Sequence, residues 1–119
     1  TRRGGVSTGP FESLNLGDHV GDARAAVQAN RHVLQQAIAA RPVFLRQIHG
    51  GRVATLDRET PDGTAADGCV TPHSGVACSI MVADCLPVLF TSRDGGAVAA
   101  AHAGWRADPS ARQPSTQLA

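Results

Sequence analysis

The stretch VACSIMVADCLPVLFTSRDGGAVAAAHAGWR, residues 76–106, decides the fold. Two apolar runs, residues 87–91 and 97–101, flank the turn signal RDGG at residues 93–96. An Asp-Gly pair between short apolar runs is typical of a tight antiparallel hairpin. The stretch therefore predicts a β-hairpin that turns at its Asp-Gly pair.

This hairpin would bring a thiol and an imidazole together. With Arg93 facing Gly96 across the turn, Pro87 lies opposite His102 in the next strand. Cys85 and His102 are then diagonal neighbours on one face of the sheet, with Cβ atoms roughly 7–8 Å apart or less. One atom with bonds of about 2.0–2.3 Å to nitrogen and sulfur could bridge that gap. Because both residues lie at strand ends, this end of the hairpin is a candidate site.

Length and composition limit the classes of protein to consider. A chain of 119 residues with 42% apolar residues can form one domain with a modest core. The net charge of +1 gives no reason to expect nucleic acid or a membrane surface as a partner. All cationic residues are arginines, which excludes both a Schiff-base lysine and a P-loop lysine.

The cysteines and the apolar runs favour a cytoplasmic protein. The three cysteines are odd in number, and the first residues do not resemble a signal peptide. Asp84 interrupts the longest apolar stretch, so no run approaches the ~20 residues needed to span a bilayer. Cys69 and Cys78 lack the spacing of a CxxC metal or redox pair, and we interpret them as small buried apolar groups.

One helix is predicted in the first third of the chain. Asp22 is a candidate N-cap for a helix over residues 23–40, and Pro42 would end it. The preceding loop, TRRGGVSTGPFESLNLG, carries Arg2 and Arg3 beside a Gly-Gly pair. These guanidinium groups could hold a phosphate or a carboxylate, or they could simply be solvated at the surface.

The middle of the chain predicts a second candidate ligand. Residues 43–48 and 52–56 are predicted as strands on either side of the turn His49-Gly50-Gly51, and residues 60–67 as a polar loop. His49 thus lies at a strand end beside glycines, as Cys85 and His102 do at theirs. Three ligands of the type His2Cys with a fourth position open are the arrangement of a catalytic zinc site.

Spacing alone leaves three chemistries open for this set. Zinc would lower the pKa of a bound water and supply a nucleophile near neutral pH. Copper is also bound by His2Cys sites. Without a metal, either histidine could deprotonate Cys85 to give a nucleophilic thiolate.

Six motifs together carry a resemblance to a known family. TRRGGVS, SLNLG, HVGD, RQIHG, ADCLPV and AHAGWR occur in the order and spacing of the YfiH-like family, also called the multicopper polyphenol oxidase, laccase-domain or purine nucleoside phosphorylase family. The resemblance implies an α/β fold with a mixed β-sheet and flanking helices. It also implies that His49, Cys85 and His102 bind zinc.

The resemblance further implies a purine nucleoside phosphorylase acting on adenosine and inosine, with adenosine deaminase activity. Arg2, Arg106 and Asn15 are then candidates to bind phosphate or substrate, and Cys85 and Asp84 are candidate catalytic residues. Asp84 could orient a histidine or carry a proton, or it could equally cap a turn.

The chain also departs from the family pattern. Family members run to about twice this length, and the glycine expected after HAGWR is Ala107. We therefore expect a truncated member, incomplete at both ends, with a family domain over residues 1–106. Residues 107–119, which are polar and contain two prolines, are expected to be a disordered or unrelated tail.

Three other functions stay open from the sequence. One is a copper-dependent polyphenol oxidase, although laccase chemistry needs several coppers. The second is a cysteine-type amide hydrolase that edits cell-wall precursors. The third is a non-catalytic metal-binding fragment. The oligomeric state is not predicted.

Overall fold

The computed structural model describes residues 2–104 and divides into two compact units, one up to Pro42 and one from Val43 onward. Arg106 and the predicted tail at residues 107–119 lie outside the described residues. Within the described part, no helix is long and apolar enough to cross a membrane.

The first unit contains the predicted helix, α1, at Arg24–Ile38, and a short 3-10 turn at Gly9–Phe11. The predicted N-cap is wrong, because Ala23 occupies that position and no side chain caps the helix. The Asp22 carboxylate instead accepts hydrogen bonds from the Ser7 hydroxyl at 2.6 Å and the Asn15 amide at 3.0 Å. Its other oxygen accepts the N–H of Ala23, the residue directly before α1, at 2.8 Å, so the carboxylate contacts the start of the helix from one position before the N-cap.

The end of α1 also differs from the prediction. The helix stops at Ile38 because Ala39 takes a left-handed conformation with φ 51°, which closes the last turn. Pro42, the predicted helix breaker, lies within the strand that follows. Alanine does not predict a left-handed cap, whereas a glycine at this position would have predicted one, because glycine adopts that conformation without steric cost.

A buried asparagine on α1 anchors the N-terminal loop. Asn30 is fully buried, and its amide oxygen accepts a hydrogen bond from the Val6 N–H at 2.8 Å. Its amide nitrogen donates to the Ser7 hydroxyl and to the Asn15 carbonyl, each at 2.8 Å. One side chain therefore ties two separate segments of the loop to the helix.

The second unit is built on two sheets. Six strands occur among residues 2–104: β1 (Arg41–Phe44), β2 (Val53–Thr55), β3 (Gly68–Thr71), β4 (Val76–Ser79), β5 (Leu86–Thr91) and β6 (Val98–Ala103). β1, whose last two residues open this unit, pairs with β4. The other four form a sheet in the order β2-β3-β6-β5, in which only the β2–β3 pair is parallel. The predicted mixed sheet is confirmed.

The strands are shorter than predicted on either side of the His49 turn. The predicted strand 43–48 ends at Phe44, after which Arg46 makes only an isolated parallel bridge to Ala65. The predicted strand 52–56 is one residue shorter at each end and forms β2. β3 and β4 have no counterpart among the predictions, because four-residue runs that contain Gly, Thr or Ser show little alternation.

The core of the second unit lies between these strands. Its fully buried members include Val43, Leu56, Ala66 and Cys69. The interpretation of Cys69 as a buried apolar group is confirmed, whereas Cys78 is only partly buried where it packs against the core. A hydrogen bond with Cys78, together with burial, raises the pKa of the Cys69 thiol.

The hairpin register is confirmed residue by residue. In the β5–β6 ladder, Pro87 pairs with His102 and Leu86 with Ala103. The turn is closed by a hydrogen bond from the Ser92 N–H to the Ala97 carbonyl at 2.9 Å. Gly95 has φ 72°, so the Asp-Gly pair supplies the left-handed residue that the turn needs.

Candidate metal centre

Three side chains with metal-binding atoms converge at the open end of the hairpin. The ligand atoms of His49, Cys85 and His102 all lie within 4.8 Å of one another. A tetrahedral zinc ion would hold such atoms about 3.5 Å apart, given bonds of about 2.0–2.3 Å. Small side-chain rotations would therefore bring the three donors to one ion, so the residues present fit a metal of this class.

The hairpin contributes Cys85 and His102. Cys85 directly precedes β5, and His102 lies one residue before the end of β6. A Cβ atom added to Gly104 would lie 3.9 Å from the Cys85 sulfur and 3.8 Å from a ring carbon of His49. The absence of a side chain at position 104 thus leaves room beside the donor atoms.

His49 reaches the hairpin from the turn between β1 and β2. Its backbone is left-handed, with φ 56°, a conformation in which histidine is more often found than most other residues. The rings of His49 and His102 meet edge to face, with centroids 4.9 Å apart and an interplanar angle of 74°. His49 is exposed, whereas the His102 side chain is only 4% exposed.

A buried carboxylate that the sequence did not single out lies against both histidines. Asp67 is 4% exposed, although its sequence context predicts the end of a polar loop. Its carboxylate lies 3.3 Å from the His102 ring and accepts the backbone N–H of His49 at 2.8 Å. Asp67 directly precedes β3, but this position gave no sequence signal, because β3 itself was not predicted.

Hydrogen bonding outweighs desolvation at this carboxylate. Burial alone would raise the pKa of Asp67. The N–H groups of Gly50, His49 and Ile48, together with the His102 ring, hold this pKa below its usual range. Asp67 is therefore negatively charged at neutral pH.

The Cys85 thiol has the opposite electrostatic setting. Desolvation, the charge of Asp84 and a hydrogen bond to that carboxylate at 3.7 Å all raise the pKa of Cys85. These groups alone disfavour the thiolate, whereas a bound cation would reverse the balance. The Asp84 side chain is exposed and lies against the thiol.

The remaining predicted site residues divide between the units. The metal-ligand candidates and Asp84 belong to the second unit, and Arg2 and Asn15 to the first. The Arg2 guanidinium donates to the Glu12 carbonyl at 3.2 Å. The Asn15 amide donates to Asp22 and accepts from the N–H of Gly17 at 3.1 Å. A substrate role for Arg2 and Asn15 stays a prediction.

The fold and the convergent His2Cys set define an α/β protein with a candidate transition-metal centre at a strand end. A family model described as multi-copper polyphenol oxidoreductase laccase matches residues 1–110. The chain therefore belongs to this YfiH-like family, and the resemblance seen in the sequence is confirmed.

Named bacterial relatives are identical to this chain at about half of the matched positions. The chain is 51% identical over 106 residues to a purine nucleoside phosphorylase of Pseudomonas aeruginosa, covering 89% of this chain and 43% of that protein. It is 49% identical over 108 residues to the purine nucleoside phosphorylase YfiH of Escherichia coli, with coverage of 89% and 44%. The chain thus spans less than half the length of these relatives.

Solved structures agree with the fold. A Neisseria meningitidis protein superposes with a TM-score of 0.81 at 53% identity, covering 89% of this chain and 44% of that one. YlmD from Geobacillus stearothermophilus gives the same TM-score and coverage at 37% identity. The backbone described above is therefore that of this family.

Proposed function

We propose that this chain carries the zinc site of a purine nucleoside phosphorylase that acts on adenosine and inosine and also deaminates adenosine. The observation that carries the proposal is the convergence of His49, Cys85 and His102 within 4.8 Å. The relatives named as purine nucleoside phosphorylases support the substrate class.

Phosphorolysis requires an anion site beside the ribose. An oxygen of inorganic phosphate attacks the anomeric carbon, and the bond to the purine nitrogen breaks, so that ribose 1-phosphate and the free base leave. Arg2 and Arg106 are proposed to hold the phosphate, because a guanidinium group binds its oxygens in bidentate fashion. Asn15 is proposed to contact the substrate.

Deamination consumes water and converts adenosine to inosine and ammonia. When bound, zinc supplies a Lewis acid that activates water near neutral pH. In this proposal His49, Cys85 and His102 hold the ion. The exposed Asp84 carboxylate is proposed to accept a proton and return it to the leaving amine.

Two alternatives are less well supported by the site. Laccase chemistry needs several coppers, whereas residues 2–104 contain one His/Cys/carboxylate cluster of metal-binding geometry. An amide hydrolase would need a thiolate at Cys85, and the surroundings of this thiol raise its pKa. A measurement of metal content distinguishes the three possibilities. One zinc per chain supports the proposal, several coppers support the oxidase, and no metal supports thiol catalysis.

The experiment measures metal content and products in the same preparation. Protein purified without added metal is expected to contain about one zinc per chain, as a single site of this type would hold. Cys85→Ala is expected to abolish this zinc, and His73→Ala, which alters an exposed histidine in the same unit, is expected to retain it. Several coppers per chain, or no metal, would contradict the zinc proposal.

Activity is best compared with a full-length relative. A purine nucleoside must be enclosed by a largely apolar pocket that fixes the ribose, and this chain spans 44% of the Escherichia coli relative. We expect the 119-residue chain to release hypoxanthine, inosine and adenine far more slowly than that relative at equal zinc occupancy. Equal rates would show that the rest of the relative is dispensable for turnover.

A further inference from the structure

We propose that Asp67 is the positioning residue of the metal centre: it selects the nitrogen of His102 that faces the ion, and it fixes the backbone that carries His49. This proposal rests on the zinc site proposed above and adds a role that neither the motifs nor the relatives' names assign. It is carried by strand register, by the four donors around the carboxylate and by the shape of the His49 turn.

The sheet register places the Asp67 backbone between the two histidine-bearing segments. Gly68 pairs with Ala101 in the β3–β6 ladder, so Asp67 lies opposite His102, whose N–H donates to the Asp67 carbonyl at 2.7 Å. On the other side, the Asp67 N–H donates to the Arg52 carbonyl at 3.0 Å, next to the His49 turn. The position of Asp67 is thus set by backbone pairing.

Three backbone N–H groups and one ring nitrogen surround the carboxylate. One oxygen accepts the His49 N–H at 2.8 Å and lies 3.3 Å from Nδ1 of His102. The other accepts the N–H groups of Gly50 at 2.7 Å and Ile48 at 3.2 Å. Three N–H donors favour the ionised carboxylate, which can only accept, so a hydrogen bond between it and His102 requires the proton to be on Nδ1. The neutral ring then has its free lone pair on Nε2, which is the ligand atom.

The same carboxylate stabilises the His49 turn. Three consecutive N–H groups, those of residues 48–50, point at Asp67 and form a concave anion-binding turn. The left-handed φ of 56° at His49 is part of this turn. Because the His49 side chain is exposed, its direction depends on the backbone more than on packing around the ring.

This role belongs to Asp67 and not to Asp84. The sequence allowed Asp84 to orient a histidine, but its carboxylate contacts the Cys85 thiol from an exposed position. Asp67 is buried and contacts the His102 ring directly. Residues that orient metal-binding histidines through a ring N–H are typically carboxylates or carbonyls of this kind.

The test replaces the carboxylate by an amide of the same shape in the full chain. In Asp67→Asn one carboxylate oxygen becomes an NH2 group, which donates and cannot accept. If this NH2 group faces the backbone N–H groups, their hydrogen bonds are lost; if it faces His102, it favours the other tautomer of the ring. Loss of such a partner typically weakens metal affinity by about 10–100-fold, and we expect that change in the zinc dissociation constant, measured by competition with a chromophoric chelator. The control is Asp62→Asn, whose carboxylate accepts the Phe44 N–H at 2.9 Å, and we expect it to leave zinc affinity unchanged.

A second readout does not depend on the variant. The ¹⁵N shifts of His102 in the unsubstituted chain are expected to show Nδ1–H and, with zinc, coordination through Nε2. Coordination through Nδ1 would overturn the proposal even if Asp67→Asn failed to fold. Unchanged zinc affinity in a folded Asp67→Asn chain, or equal weakening by Asp62→Asn, would overturn it as well. Failure of the unsubstituted chain to bind zinc would overturn the zinc site itself, so the two failures are distinguishable.

Discussion

Pro87 lies directly opposite His102 in the β5–β6 ladder. This pairing sets the face of the sheet on which the His102 ring stands, and it brings Cys85 to the same end of the hairpin. Because side chains alternate between faces along a strand, a shift of one residue would send the ring to the opposite face.

Insertion of one alanine after Ala100 is therefore expected to abolish zinc binding. Ala100 keeps its place in the core, while His102 moves by one position and turns away from Cys85. The measurement is zinc content after dialysis, with circular dichroism to check folding.

The control is one alanine inserted after Gly95, in the turn. The turn hydrogen bond between Ser92 and Ala97 lies outside the paired strand positions, so a longer loop leaves the register of His102 intact. Zinc binding should survive this insertion. Equal loss of zinc from both insertions would contradict the assignment of the site to the hairpin register.

The reactivity of the thiols should depend on metal. In the zinc-loaded chain Cys85 is a ligand and should resist alkylation, and Cys69 is fully buried. Cys78 is partly exposed, so the experiment is best made in a Cys78→Ser chain. A chelator should then add one alkylated thiol per chain, counted by mass spectrometry.

The matching control for this experiment is Cys78→Ser combined with Cys85→Ser, in which the chelator should change nothing. Equal labelling of the Cys78→Ser chain with and without chelator would argue against a metal on Cys85.

Asn30 should contribute strongly to the stability of the first unit. Asn30→Ala removes the acceptor for the Val6 N–H and the donor for the Asn15 carbonyl. Leaving buried polar groups without partners costs about 1–3 kcal/mol, so we expect a decrease of that size in the free energy of unfolding. Chemical denaturation measures it. Gln35→Ala on the exposed part of α1 should change stability by less than about 0.5 kcal/mol.

Acid should weaken the first unit through Asp22. Hydrogen bonds from Ser7 and Asn15 lower the pKa of Asp22 below its ordinary value of 3.8. The ionised Asp22 therefore contributes its full stabilisation of the fold above pH 3.8, its pKa in the unfolded chain. This contribution is lost as the pH falls through the lower pKa that Asp22 has in the folded chain. We expect Asp22→Asn to reduce the melting temperature at pH 6 and to have little effect at the acid end.

The difference in melting temperature between wild type and Asp22→Asn isolates Asp22 from the other carboxylates of residues 2–104 with lowered pKa values, which are Asp57, Asp67 and Asp94. Ser7→Ala removes the hydrogen bond from the Ser7 hydroxyl to Asp22. Its effect on the melting temperature should vary with pH in the same direction as that of Asp22→Asn, but less strongly. A melting-temperature difference between wild type and Asp22→Asn that stayed constant with pH would contradict this assignment.

Local signals predicted the parts of the fold that depend on neighbouring residues. The hairpin register followed from the Asp-Gly turn and the apolar runs beside it, and the helix predicted over residues 23–40 contains α1. The short strand β3 was missed because it is stabilised by pairing with β2 and β6, which are distant in sequence. The left-handed cap at Ala39 was missed because alanine carries no local signal for that conformation.

The sequence by itself identified the three donor residues, and its turn signal was enough to place two of them, Cys85 and His102, at one end of a hairpin. A turn of four residues with a fixed register leaves little choice of face. Only the tertiary structure decided which groups surround them. Asp67 reaches His49 and His102 across 18 and 35 residues of chain, and Asn30 reaches Val6 across 24. Such contacts depend on which segments become neighbours in the folded chain, and no local pattern in the sequence encodes that.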